Sequence, residues 1–223
     1  MNKKVVKASL ILNIIILLMV VFACVIMFTG IKFMHGHEIA LEVTKLEMFK
    51  FFTVDSNLLM GIAALVFAYY DYLVITNKKK EIPTKVYAFK HVATASVLLT
   101  FVVTLFYLAP FSEYEFLAFF RNSNLFFHLI VPIISAFTFI LYEKKNQDKE
   151  VVMFGLIPMV LYSIFYVIVY FITPESASSI DRDWYRFLSG GLAKGIMSIF
   201  TVYIITYLIS YALWIFNKKN YKR

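Results

Sequence analysis

Charged residues are scarce in this sequence. Asp, Glu, Lys and Arg make up 16% of the 223 residues, whereas 61% are hydrophobic and 18% are aromatic. Side chains of this kind supply too little polar surface to cover a water-soluble globular domain of this length. The composition therefore predicts an integral membrane protein.

Cysteine is nearly absent. The single cysteine, Cys24, excludes an internal disulfide and any metal site built from several cysteines. His35 and His37, followed by Glu38, come closest to a metal-binding pattern, but no third ligand follows at a useful spacing. We therefore expect neither a metal nor a cofactor. The two halves show no repeat and no pair of Gly- or Pro-broken helices, a pattern that many transporters use.

Six apolar stretches are near the length of about 20 residues that a helix needs to cross about 30 Å of hydrocarbon. They cover residues 8–33, 46–76, 86–109, 122–142, 151–173 and 191–216. Short connections favour antiparallel packing of successive helices and leave no room for a separate soluble domain. The sequence predicts an all-α integral membrane protein, a single six-helix transmembrane bundle over residues 1–223.

Basic residues mark one side of this predicted bundle. Fourteen of the 22 Lys and Arg residues lie near the termini and in alternate connections: Lys3, Lys4, Lys7, Lys78, Lys79, Lys80, Lys85, Lys144, Lys145, Lys149, Lys218, Lys219, Lys222 and Arg223. Because Lys and Arg concentrate on the cytoplasmic side, both termini of this multi-pass protein of the cell membrane are expected there. The short clusters form no stripe that could follow a phosphate backbone, so no nucleic acid partner is expected.

Polar residues interrupt the second predicted span. They are Thr53, Asp55, Ser56 and Asn57. In hydrocarbon, unpartnered polar groups cost on the order of several kcal/mol each, so a function is expected of them. Counted from Leu46 along a continuous helix at about 1.5 Å per residue, Thr53 would lie about 10 Å below the outer end. His128, six residues beyond Asn122 on the fourth span, would lie about 9 Å deep. The two side chains are therefore predicted at matching depth.

Helical spacing groups further polar residues around this pair. The second span would carry one face made of Lys50, Thr53 and Asn57. The fourth would carry a stripe made of Arg121, Asn124, His128, Pro132 and Ser135. The sixth repeats polar residues at i, i+4 and i+7 in Lys194, Ser198 and Thr201. Together these faces predict a polar pocket that opens toward the outer leaflet. The tyrosines at 162, 166 and 170 are interpreted as a packing ridge of the fifth span.

The chemistry that such a pocket could support is acyl transfer. A threonine hydroxyl becomes a nucleophile when a base takes its proton, and neutral imidazole is suited to that near pH 7. Thr53 and His128 are the candidate nucleophile and base. Asn57 or Asn124 could orient the histidine or donate to an oxyanion. A lipid carboxylate or phosphate could be received by the side chains of Lys50 or Arg121.

A structural interpretation of the same residues stands beside the catalytic one. Threonine in membrane helices often bonds to the carbonyl one turn earlier, and a histidine inside a span can simply bridge helices. Asp55 would then pair with Lys194 or Arg121. The alternative function is a membrane protein that binds or transports a lipid or other small ligand without catalysis.

Three short segments resemble the prokaryotic six-span relatives of the androgen-induced membrane protein family: 50-KFFTVDSNLL-59, 124-NLFFHLIVP-132 and 183-DWYRFLSGG-191. The resemblance implies six spans and hydrolysis of a lipid ester, because animal members of that family cleave fatty acid esters of hydroxy fatty acids with an intramembrane threonine and histidine. It places those roles on Thr53 and His128. This chain has Asp55 and Asn57 on either side of Ser56, where animal members carry one polar residue. The substrate therefore does not transfer from the resemblance.

Overall fold

The computed structural model describes residues 2–34, 39–40, 43–188 and 190–221, without the side chains of Ser179 and Ile180. These residues form helices and connections and contain no β-strand. Six of the helices are long and apolar enough to cross a membrane: α1 (Lys3–Thr29), α2 (Phe52–Ile75), α3 (Thr84–Phe111), α4 (Ser123–Leu141), α5 (Val151–Ile172) and α6 (Leu192–Tyr221). The predicted all-α architecture with six membrane-crossing helices is confirmed.

The end of α1 and the start of α2 differ from the predicted spans 8–33 and 46–76. Helix α1 ends at Gly30, whose backbone adopts a left-handed conformation with φ of 71° that favours glycine. Residues Lys45–Lys50 form a separate 3₁₀-helix, and Phe51 is extended before α2 begins at Phe52. The predicted continuous helix from residue 46 is therefore wrong, and so is the depth that was counted from Leu46.

Two of the helices widen into π-helical turns just before a proline. The π-helical segments are Thr104–Leu108 in α3 and Phe126–Ile130 in α4, and they precede Pro110 and Pro132. A proline lacks the N–H that would bond to the fourth residue before it, and its ring crowds that carbonyl. The wider turn relieves this crowding. In α4 the affected carbonyl belongs to His128.

The loops meet at two opposite ends of the bundle. We call the end formed by residues 30–34, 43–51, 112–122 and 173–188 the aromatic end. The basic end is formed by residues 76–83 and 142–150, with the first turn of α1 and the last turn of α6. At the aromatic end, Asn122 accepts hydrogen bonds from the backbone N–H groups of Phe33 and Met34 at 2.8 and 3.0 Å. At the basic end, Asn217 binds the backbone of Lys145 at 3.0 Å. The six helices thus run antiparallel in sequence order.

The largest buried apolar cluster lies in the half of the bundle near the aromatic end. It joins α1, α2 and α5 to the 173–188 loop through Ala23, Phe52, Tyr166 and Trp184, among others. Burial of large aromatic side chains dominates the stability of such clusters. This packing holds the start of α2, with its run of polar residues, beneath the loop.

Candidate functional site

A cavity of about 400 Å³ lies beside the start of α2, between α3, α5 and α6. This volume is within the range typical of small-molecule sites, and most of the wall is hydrophobic, as in such sites generally. The polar side chains among its lining residues all carry hydroxyl groups: Thr53, Thr100, Thr104, Tyr107, Tyr162, Tyr185, Ser198 and Thr201. None of the described lining residues is charged.

Thr53 lies in the first turn of α2 and forms part of the cavity wall. Its side chain is 8% exposed, and its backbone carbonyl accepts hydrogen bonds from Asn57 Nδ2 at 2.7 Å and Ser56 Oγ at 3.1 Å. The predicted face of Lys50, Thr53 and Asn57 does not form, because Lys50 lies on the preceding 3₁₀-helix and not on α2. The Thr53 hydroxyl interacts with that of Tyr185, which lines the same cavity.

Two tyrosines join Thr53 at this end of the cavity. The hydroxyl of Tyr185 accepts a hydrogen bond of 3.1 Å from the backbone N–H of Phe52, the first residue of α2. It also interacts with the hydroxyls of Thr53 and Tyr162. Tyr162 in turn donates to the carbonyl of Lys50 and accepts from Trp184 Nε1 at 3.0 Å. Burial raises the pKa of Tyr185 to about 12, so its phenol stays protonated at neutral pH. The cluster is neutral and rich in donors.

The 173–188 loop covers this cluster like a cap. Asp183 holds the turn together: its carboxylate accepts from the N–H of Leu188 at 3.1 Å and from the hydroxyl of Tyr166. The rings of Tyr166 and Trp184 meet edge to face with centroids 4.6 Å apart. The cap therefore closes the cavity toward the aromatic end.

The cavity is open on the side that faces the surrounding membrane. Phe106 of α3 and Met197 of α6 both line it, yet they are 66% and 68% exposed. Residues that line a cavity and are also exposed mark its mouth. A molecule in the bilayer could thus enter sideways between α3 and α6 without crossing the cap.

His128 is fully buried and is not among the cavity's lining residues. Its Nδ1 bonds to the backbone carbonyl of Phe119 at 2.7 Å. Because a carbonyl can only accept, Nδ1 carries the proton, and in the neutral ring Nε2 is the unprotonated nitrogen. Nε2 is buried and has no hydrogen-bond partner. The candidate nucleophile Thr53 and the candidate base His128 are therefore not hydrogen-bonded to each other, but the nitrogen that could act as a base is unoccupied.

The two candidate asparagines have clear structural contacts. Asn57 Nδ2 bridges from the Thr53 carbonyl to the Phe127 carbonyl at 3.2 Å, and so joins α2 to the residue before His128. Its Oδ1 is buried without a partner. Asn124 donates to the carbonyl of Ala40 at 2.6 Å and anchors the loop after α1. Neither amide bonds to the imidazole.

The cationic side chains that were predicted to receive a lipid anion are engaged elsewhere. Lys50 pairs with Asp181 of the cap at 2.9 Å, and Arg121 pairs with Glu115 at 2.9 Å. Arg121 lies in extended backbone before α4, so it does not continue the helical stripe of Asn124 and His128. No cation in the described part of the chain lines the cavity.

The predicted stripe on α6 is divided. Ser198 and Thr201 line the cavity, whereas Lys194 is exposed and does not.

Asp55 pairs with neither Lys194 nor Arg121, so that expectation is wrong. It is half-buried and lines a second cavity of about 390 Å³ between α2 and α5, among apolar neighbours such as Phe49 and Phe165. His35, His37 and Glu38 lie outside the described residues.

Sequence reasoning missed the contribution of α3 to the site. Thr100 and Thr104 sit one turn apart in its half near the aromatic end, and Thr100 shares a hydrogen bond of 3.1 Å with Ser56. The i, i+4 spacing of these threonines is a signal that could have identified them. Tyr162, interpreted as packing, also lines the cavity. The aromatic run 183–188 was noticed, but its role as a cap depends on long-range contacts.

The arrangement can hold an apolar chain and offer hydroxyl donors and acceptors to one neutral polar group. It presents a possible nucleophile, Thr53, with an unoccupied imidazole nitrogen on the neighbouring helix. Comparison of the chain with models of protein families, with curated proteins and with solved structures finds no match.

Proposed function

We propose that this is a multi-pass protein of the cell membrane that binds a lipid-like molecule with a neutral polar group in the cavity beside Thr53. The observation that carries the proposal is the lining of that cavity, which is apolar apart from hydroxyl groups. A buried charged headgroup would need a partner of opposite charge. A hydroxyl, an ester or a protonated acid needs only the hydrogen bonds that uncharged hydroxyls such as those of Thr53 and Tyr185 can supply.

The side opening supports a ligand taken from the bilayer. An acyl chain could enter between Phe106 and Met197 and extend along Leu99, Val202 and Ile205. Its polar end would then reach the hydroxyl cluster under the cap. The fourteen clustered basic residues of the chain favour cytoplasmic termini, which would place this cavity in the outer leaflet.

A photoactivatable fatty alcohol tests the binding function. Irradiated with the purified protein in detergent, it should label peptides from α3 and α6 that line the cavity. Val202→Trp would fill the cavity and should reduce labelling at least severalfold. Leu208→Trp adds the same ring at an exposed position of α6 outside the cavity and should label like the wild type. Equal labelling of the two variants would exclude this cavity as the binding site.

Hydrolysis of a lipid ester is the second candidate, and the unoccupied Nε2 of His128 favours it. The Thr53 hydroxyl would attack the ester carbonyl, its proton would pass to Nε2, and the departing alcohol would take that proton. Water would then release the acid from the acyl-threonine. The step requires the imidazole to turn toward Thr53 when substrate is bound, since the two side chains are not hydrogen-bonded here. The resemblance of segments 50–59 and 124–132 to the androgen-induced membrane protein family agrees with these roles.

A fluorophosphonate probe separates the two candidates. An activated Thr53 should be labelled covalently, and labelling should disappear in Thr53→Val and in His128→Ala. If the protein binds the fatty alcohol but is not labelled by the fluorophosphonate, binding without catalysis is the function. Labelling that survives in both variants would exclude the Thr53 and His128 pair.

A further inference from the structure

A second group of buried polar side chains lies in the other half of the bundle, toward the basic end. Ser9 Oγ donates to Asp71 Oδ2 at 2.7 Å, and Asn13 Nδ2 donates to Glu143 Oε1 at 2.7 Å. Lys90 donates to Asn13 Oδ1, and its Nζ lies 3.7 Å from Glu143 Oε1. All five side chains are at most 2% exposed. They come from α1, α2, α3 and the residues just after α4.

The network lies well inside the bundle. Asp71 is four residues before the end of α2, and Lys90 is six residues after the start of α3. At about 1.5 Å per residue these positions are about 6 to 9 Å from the helix ends. Buried ionisable groups at such depth are rare in membrane helices and mark ion or proton sites.

The charges of the network do not balance if every group is ionised. Two carboxylates and one ammonium leave a net charge of −1 on side chains that are at most 1% exposed. Lys90 is close to Glu143, whereas Asp71 has no ion pair among the described residues. A buried carboxylate without a cation is strongly disfavoured and takes up a proton instead. Asp71 is therefore the group that carries it.

The other titratable groups nearby do not supply the missing positive charge. Tyr87 of α3 is buried beside the two carboxyls and is neutral as a phenol. Glu81 is paired with Lys145 at 3.3 Å. His91, next to Lys90 in the chain, faces α6 and shares a hydrogen bond of 2.8 Å with Ser210. The charge count of the network is thus set by Asp71, Lys90 and Glu143.

One acceptor in the network is still free. Glu143 Oε2 is buried and has no hydrogen-bond partner. Burial raises the pKa of Glu143, against the effect of Lys90 and Asn13, so this carboxyl competes with Asp71 for the proton. The network therefore has one proton and two carboxyls that can hold it.

We propose that Asp71, Lys90 and Glu143 form a proton-binding site that holds one exchangeable proton near the basic end. The site is separate from the cavity beside Thr53 and does not depend on its function. Because the proton neutralises the contact between α1 and α2, its release would place an unpaired charge between these helices. Proton binding is thus coupled to their packing.

Infrared spectroscopy of the carboxylic acid C=O band, which shifts in D₂O, tests the site by counting protonated carboxyls at neutral pH. The measurements use an Asp55→Asn background, because Asp55 is another carboxyl within a membrane helix. The network of the parent protein should contribute one protonated carboxyl. Asp71→Asn should contribute none, and Glu143→Gln should also contribute none, because Lys90 then balances an ionised Asp71.

Replacing Lys90 should increase the number of protonated carboxyls, whereas replacing either carboxyl should decrease it. Lys90→Gln should contribute two protonated carboxyls, since no cation remains. If that variant does not fold, the double variant Lys90→Gln/Glu143→Gln takes its place. Its charges balance when Asp71 is protonated, so it should contribute one protonated carboxyl. A parent protein without the band would overturn the proposal. So would a band that disappears when sodium is added, because a metal cation would then occupy the site, or a band that persists in Asp71→Asn.

Discussion

At the scale of single residues, the site differs from the predicted one chiefly in its charges. Lys50 and Arg121 were predicted to bind a lipid anion at the site. Each is instead paired with an acidic residue of a loop. Hydroxyls of threonine and tyrosine take their place in the wall. A hydroxyl can donate and accept without carrying a charge, so its desolvation in an apolar cavity costs much less than that of an ammonium or guanidinium group. The chemistry that remains open to the site is that of neutral lipids.

Thr53 and His128 can be tested together if the protein hydrolyses esters. Removing either residue should abolish turnover almost as completely as removing both, because groups that act as a unit are not additive. Thr53→Ser keeps a hydroxyl and should retain some activity, whereas Thr53→Val keeps the shape and should retain none. The measurement is release of fatty acid from a neutral ester.

The stability of the same variants serves as their control. The Thr53 hydroxyl shares one hydrogen bond with that of Tyr185, so Thr53→Val should lower the free energy of unfolding by about 1 kcal/mol. Hydrolysis that persists in both Thr53→Val and His128→Ala would show that these groups are not catalytic. Unfolding of both variants would show that the groups support the fold.

Tyr162 should be important for stability as well as for binding. Its hydroxyl bonds to the carbonyl of Lys50 and accepts from Trp184 Nε1, so Tyr162→Phe leaves two buried groups without a partner. The expected loss is about 1–3 kcal/mol in the free energy of unfolding. Tyr203→Phe on α6 is the matched control, because no hydrogen bond of the Tyr203 hydroxyl would be lost. Denaturation in detergent, followed by tryptophan fluorescence, compares the two, and equal losses would contradict the assigned contacts.

At the scale of helices and loops, the positions of the spans were predictable and their ends less so. Apolar length alone located all six, because the hydrocarbon core imposes a minimum run of apolar residues. The start of α2 was misplaced because Leu46, Met48, Phe49 and Phe51 extend the apolar run ahead of the helix, in spite of Glu47 and Lys50. Their 3₁₀ geometry depends on contacts with α5 and the cap, such as the bond from Tyr162 of α5 to the Lys50 carbonyl and the ion pair of Lys50 with Asp181. Such contacts join residues far apart in sequence.

The location of the site was predictable only in part. The polar run 53–57 indicated where to look, and Thr53 and Ser198 do line one cavity. Counting along a regular helix could not orient His128, because the π-helical turn before Pro132 changes the spacing of α4. The partner of its Nδ1, the Phe119 carbonyl, lies in a loop whose path no periodicity predicts.

The cap over the cavity should open when Asp183 is replaced. Asp183→Ala removes the acceptor for the Leu188 N–H and the Tyr166 hydroxyl, both of which are buried. Local stability should fall by about 1–3 kcal/mol. Hydrogen exchange of residues 183–188 should then be faster by one or two orders of magnitude, with exchange in the middle of α2 unchanged. Asp148→Ala, in the exposed loop at the basic end, is the control. Unchanged exchange in the cap would show that Asp183 does not hold it.

The contact between Lys50 and Asp181 should make the cap sensitive to acid. The hydroxyl of Ser178 and the ammonium of Lys50 lower the pKa of Asp181 below its ordinary value. A lowered carboxyl pKa gives stability that is complete above the unfolded-state pKa of about 3.9 and is lost as the pH falls through the folded-state value.

A variant without the cation isolates this effect. Lys50→Met lacks the ion pair at every pH, so the difference in melting temperature between wild type and variant should be largest at neutral pH. It should shrink as the pH is lowered below about 4. Thermal denaturation at a series of pH values measures it. A difference that grows in acid would show that the pair does not stabilise the cap.

At the scale of the whole molecule, the polar groups separate into two layers. The hydroxyl-lined cavity lies toward the aromatic end, and the network of Asp71, Lys90 and Glu143 lies toward the basic end. Between them the bundle contains apolar side chains such as Ile16, Met60 and Val97. Buried hydroxyls at this depth, such as those of Thr94 and Ser96, bond to carbonyls of their own helix. An apolar layer of this kind argues against a continuous polar passage between the two ends. The cavity is therefore better suited to exchange with one leaflet than to transport across the membrane.

The orientation of the bundle decides to which leaflet the cavity opens. Basic clusters at one end predict that this end is cytoplasmic. In a Cys24→Ala background, a cysteine at the exposed Ser176 of the cap loop should react with an impermeant maleimide on intact cells. A cysteine at the exposed Asn146 should react only after the membrane is permeabilised. The reverse labelling would move the cavity to the inner leaflet and the proton-binding network to the outer half. The ligand would then have to be a lipid of the cytoplasmic leaflet.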